Sequence, residues 1–124
     1  MTALVLLGHG ARDPVWAEPL ERVRARLARA RPELAIEVAF LEFMLPTLAE
    51  AVAALVARGA TCVVVVPVFL AQGVHLKRDL PALLDELRGR HSACDVRLAA
   101  AAGEAPEVIA AIVAHAAAQA DGEI

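Results

Sequence analysis

Two stretches of this chain, ALVLL at Ala3–Leu7 and CVVVV at Cys62–Val66, run without a single charged residue. Such a run has no polar side to turn to water, so a strand built from it must be covered on both faces. Parallel βαβ connections supply that cover, because each crossover lays a helix on the sheet.

The rest of the sequence keeps the same rhythm. Asp13-Pro14 reads as an N-cap followed by proline at the first helical position. It opens a helix in which Trp16, Leu20, Val23 and Leu27 recur three and four residues apart and are expected to face inward, and which stops before Pro32. Ile36–Leu41 gives a second strand. Pro46 to Arg58 gives a second helix, with Leu48, Val52, Leu55 and Val56 inward and Gly59 as its stop. After the strand at Cys62–Val66, a third helix is expected from about Asp79 to Arg88, with Pro81 tolerated in its first turn. A weaker strand at Val96–Ala99 and a helix from Pro106 to about Ala120 complete the pattern. The expectation is one α/β domain over residues 1–124: an open, mainly parallel four-stranded sheet with helices on both faces.

At 59% hydrophobic, the chain exceeds an ordinary globular composition. The excess implies strands buried on both faces, or an apolar surface that meets a partner. Val108–Ala120 contains no charged residue, and a helix without a charged face is expected in the core or against a second subunit. His115 lies on its Val108–Ile112 face and His91 just past the third helix, so both read as structural. A net charge of −3 and an aromatic content of 3% argue against a nucleic-acid partner. Cys62 and Cys94 form no CxxC pair and read as the reduced thiols of a cytoplasmic protein. Met1-Thr2 leads into a strand without a basic leader, and no charge-free apolar stretch reaches the ~20 residues that span a bilayer, so no membrane association is expected.

Open parallel sheets bind ligands beyond the carboxyl ends of their strands. The first strand runs into Gly8-His9-Gly10, the second into Glu42, and the third leads by a short loop to His75. The spacing is 33 residues both from His9 to Glu42 and from Glu42 to His75, one βα unit each time. Neighbouring strands lie about 5 Å apart, so side chains at these ends are expected to converge. Two imidazoles and a carboxylate suit Fe, Co, Ni or Zn and leave coordination positions open. Phe40, Phe43, Met44, Phe69 and Leu70 stand nearby as apolar walls, and the glycines beside His9 leave room for a flat ligand.

The segments LLGHGARDP, VAFLEFMLPTLAEAV, VVVVPVFLAQGVHLKRDLPALL and VRLAAAAGEAPEV together resemble the short CbiX/SirB-type sirohydrochlorin chelatases. The resemblance implies a chelatase-like, flavodoxin-style fold and an ATP-independent (class II) activity. That activity inserts a divalent metal (Co²⁺, Fe²⁺ or, in some members, Ni²⁺) into sirohydrochlorin during cobalamin or siroheme biosynthesis, with no organic cofactor. It places the family's metal-binding and catalytic residues on His9, Glu42 and His75, and implies a homodimer. Arg12, Lys77 and Arg78 then stand where cationic groups would meet the carboxylates of the macrocycle. Glu42 or one of the histidines would take up the pyrrole protons. Three positions depart from the family pattern: Ala11 for a common serine, Val74 for a common glycine, and Gly103-Glu104-Ala105-Pro106 where a histidine is usual.

Other classes fit less well. The third glycine of a dinucleotide-binding fingerprint is replaced by Asp13, and no P-loop lysine motif occurs. A histidine phosphatase would need arginine where Gly8 stands, and no G-x-S-x-G is present. A non-catalytic tetrapyrrole or metal carrier remains the alternative on these residues.

Overall fold

The structure is a computed structural model and describes residues 1–122; the last two residues of the expected domain, Glu123 and Ile124, lie outside the described residues. Strands β1 (Thr2–Gly8), β2 (Ala35–Phe40), β3 (Cys62–Pro67) and β4 (Asp95–Leu98) alternate with helices α1 (Glu18–Ala30), α2 (Leu48–Ala57), α3 (Val74–Arg90) and α4 (Pro106–Ala120). The sheet order is β2-β1-β3-β4 and every pairing is parallel. The α/β architecture read from the sequence is the one observed.

Of the two charge-free strands, β1 is buried almost throughout, whereas β3 is fully buried on one face only. Val5 and Leu7 of β1 and Val63 and Val65 of β3 are wholly buried, in one cluster with Val52 and Leu55 of α2 and Leu80, Leu84 and Leu87 of α3. The other face of the sheet carries α1, whose Leu20 packs with Leu6, Ile36, Val38 and Phe40. Thr47 opens α2 with a reciprocal cap. Its hydroxyl accepts from the Glu50 N–H, and the Glu50 carboxylate accepts from the Thr47 N–H.

Several expectations are corrected. Asp13 caps a 3-10 turn at Pro14–Ala17 rather than α1 itself, through a 3.0 Å hydrogen bond from the Val15 N–H. That extra turn carries Trp16 away from the α1 stripe, and its side chain is 67% exposed. Val23 is also exposed. Helix α3 begins five residues earlier than expected, so His75 lies in its first turn and Pro81 in its interior. The Leu76, Leu80, Leu84 and Leu87 spacing outweighs the one N–H that Pro81 lacks. Helix α4 has the expected bounds but contains no buried residue. Ile109, Ile112 and Val113 are exposed, and its principal contact is the short turn Ala102–Glu104 just before it. On the α1 side, Cys62, Val64 and Val66 of β3 are correspondingly only half-buried. Burial and the neighbouring Cys62 push the Cys94 thiol above its ordinary pKa, which suits an inert core cysteine. No described helix is long and apolar enough to cross a membrane.

Candidate active site

The strand order decides where a ligand has room. The crossover from β1 runs to β2 on one side and the crossover from β3 runs to β4 on the other, so the connections part between β1 and β3. A crevice opens at such a point beyond the strand ends. Here it is a cavity of about 500 Å³ lined in part by Gly8, His9, Trp16, Leu20, Val68 and Phe69.

His9 follows β1 directly and faces this crevice, exposed to solvent. Its imidazole stacks on the ring of Phe69, centroids 4.2 Å apart and planes 30° from parallel. Phe69 is buried, so it forms a fixed floor under a ring whose nitrogens make no hydrogen bond to the described residues. The backbone leading to Phe69 is set by register, because the Val68 N–H donates to the Leu7 carbonyl at 2.8 Å.

Glu42 meets His9 through the backbone. The Glu42 N–H donates to the His9 carbonyl at 3.1 Å, and the Leu41 N–H donates to the Gly8 carbonyl at 3.1 Å. Gly10 makes this approach possible. Its φ is +88°, and a Cβ there would lie 1.9 Å from the Glu42 carbonyl oxygen. The Glu42 carboxylate has no ion pair or hydrogen bond among the described residues. It is solvent-exposed, so the expected apolar walls do not close around it.

His75 lies in the first turn of α3. Its Nδ1 lies 3.2 Å from Arg78 Nη2. A guanidinium can only donate, so Nδ1 accepts, and in the neutral ring Nε2 then carries the proton. Neither nitrogen of His75 has a free lone pair in that arrangement. Among the described residues, no group of three or more His, Cys, Asp or Glu side chains is gathered to hold a metal ion. Among the described residues the fold joins His9 to Glu42 through the backbone, while Arg78 engages His75.

The cations are disposed unequally. Arg78 is held by His75 and by Asp79, whose Oδ1 accepts at 3.1 Å. Lys77 is exposed and has no ion-pair partner among the described residues. Arg12 also lacks an ion pair there, and its guanidinium lies 4.7 Å from the centroid of the Phe43 ring. The sequence alone offers Phe69 and Phe43 only as apolar walls. Their pairing with His9 and Arg12 depends on rotamers that spacing does not encode.

The CbiX family model matches residues 3–119. The chain belongs to the CbiX family. It is 40% identical over 91 residues to a sirohydrochlorin cobaltochelatase of Methanocaldococcus jannaschii, covering 73% of this chain and 64% of that one. Against the CbiX protein of Marinobacter aquaeolei the fold superposes with a TM-score of 0.84 at 30% identity, covering 98% of both chains. Against the sirohydrochlorin chelatase SirB of Bacillus subtilis, solved in complex with cobalt, the TM-score is 0.71 at 28% identity, covering 90% of this chain and 48% of that one. The matched region spans less than two thirds of the length of the first curated relatives.

Within this CbiX chain, the loop after β4 acts through its backbone. The Gly103 N–H donates to the Phe69 carbonyl at 2.8 Å, and a Cβ on Gly103 would lie 2.1 Å from the Leu70 carbonyl oxygen. The segment Gly103-Glu104-Ala105-Pro106 thus braces the strand end that carries Phe69 beneath His9, although it offers no histidine.

Proposed function

We propose that this chain inserts a divalent metal ion, Co²⁺ or Fe²⁺ and in some settings Ni²⁺, into sirohydrochlorin without ATP or an organic cofactor. The observation that carries this reading is the unengaged His9 imidazole, stacked on Phe69 at the sheet's switch point and joined through its backbone to Glu42, whose carboxylate is also unengaged. The cobaltochelatase and SirB relatives support the choice of macrocycle and metal.

The metal is a substrate here, so its ligands must release it as well as hold it. Exposed imidazole and carboxylate groups, without thiolates, suit that exchange. The macrocycle lies over the apolar cavity, with Arg12 and Lys77 meeting its rim carboxylates. Its two pyrrole N–H protons leave as the metal–nitrogen bonds form. Glu42 or an imidazole accepts them and passes them to water. His75 joins His9 and Glu42 as a metal ligand once Arg78 turns from Nδ1 toward a substrate carboxylate.

The proposed assembly is a homodimer. Exposed Ile109, Ile112 and Val113 on α4, with the half-open β3 face, support a second copy as the missing cover.

The test is to mix the protein with sirohydrochlorin and Co²⁺, Fe²⁺ or Ni²⁺ and follow the absorbance change against the spontaneous rate. Catalysed insertion that falls at least about tenfold in His9→Ala is the expected result. Stoichiometric binding with no acceleration would make the chain a carrier instead.

A further inference from the structure

The loop that presents Glu42 contains a backbone anomaly. Phe43 has φ +66° and is the only non-glycine with positive φ among the described residues. The Met44 N–H donates to the Glu42 carbonyl at 2.8 Å, closing a three-residue turn centred on Phe43. A bulky residue with a Cβ disfavours this conformation, whereas glycine or asparagine adopts it readily. The core does not compensate the cost, because the Phe43 side chain is 57% exposed. What the ring does touch is Arg12, whose guanidinium stands over its face. The two also line a cavity of about 300 Å³ with Pro14 and Leu45.

Backbone strain that no packing repays is characteristic of functional loops. We infer that Phe43 is a positioning residue: its ring holds the otherwise unpaired Arg12 guanidinium against the loop that presents Glu42, oriented to receive a carboxylate of the tetrapyrrole. A long arginine side chain free in water samples many rotamers. A cation–π contact narrows them while leaving the N–H groups at the guanidinium edge open to an anion. The inference rests on the reading of Arg12 as a carboxylate-binding group under the proposed function.

The experiment measures Kd for metal-free sirohydrochlorin, read from quenching of Trp16, the only tryptophan. It is run on wild type, Phe43→Asn, Phe43→Tyr, Arg12→Ala and the Arg12→Ala/Phe43→Asn double variant, with KM and kcat alongside and sedimentation as a control. Phe43→Asn is expected to weaken binding about two- to fivefold. KM should rise more than kcat falls, and Tm should hold or increase because the turn relaxes. Phe43→Tyr should restore wild-type binding. The double variant should bind like Arg12→Ala alone.

Unchanged Kd in Phe43→Asn, with Arg12→Ala weakened, would overturn the inference and leave the Arg12 reading intact. Unchanged Kd in Arg12→Ala would overturn both. A changed association state with unchanged Kd would assign Phe43 to a protein contact and overturn it too. Because binding is read without turnover, failure of metal insertion is seen separately.

Discussion

Helices α2 and α4 are built from nearly the same material and meet opposite fates. LAEAVAALVA carries one charge and PEVIAAIVAHAAAQA carries one, and both are rich in alanine and branched aliphatics. Yet α2 buries Leu48, Ala51, Val52 and Leu55 and is closed by the Thr47–Glu50 cap, while α4 buries nothing and has no side-chain cap. The difference is topological. Helix α2 joins two strands and must cross the sheet between them, whereas α4 follows the last strand and no later described strand draws it back. Apolar composition says that a helix needs cover. It does not say which chain provides it.

The contrast can be broken in several places. The largest effect belongs to Leu55→Ala, which empties a fully buried site in α2 and should cost about 2–5 kcal/mol in urea unfolding. A loss below about 1 kcal/mol would mean that α2 is not the anchored helix described here. Next comes Ile112→Glu on α4. If a second copy covers that face, the substitution should weaken the dimer at least about tenfold by sedimentation, about 1.4 kcal/mol, with helical content retained. Wild-type protein that sediments as a monomer at micromolar concentration would contradict the second-copy reading. The smallest effects sit at the caps. Thr47→Ala should cost about 1 kcal/mol, and Ala105→Ser, which gives α4 the hydroxyl it lacks, should add about 0.5 kcal/mol to thermal stability. Equal and opposite shifts at the two sites would mean that both helices depend on their caps alike.

Much of this arrangement was legible in the residues. The charge-free strands announce burial, which β1 reaches on both faces and β3 fully on one, and parallel order then brings His9 and Glu42 to one edge. Gly59, with φ +97°, ends α2 where its residue type predicts. The misreadings share a physical origin. Trp16 fits the α1 period, but a 3-10 turn advances by a different angle and rotates it outward. Pro81 imitates a helix start, although the leucine spacing of α3 extends well before it. The Phe69 stack, the Arg78 contact with His75 and the turn at Phe43 depend on how side chains and separate segments meet, and no local pattern encodes such meetings.

The central claim is that His9 and His75 both hold the metal on its way into the macrocycle, although only His9 is unengaged in the chain as folded. Cobalt X-ray absorption on the Co²⁺-loaded protein tests it most directly, by counting imidazole ligands in wild type, His9→Ala and His75→Ala. Two imidazoles in wild type and one in each variant is the predicted result. A cobalt shell that stays the same when either histidine is removed would contradict the account.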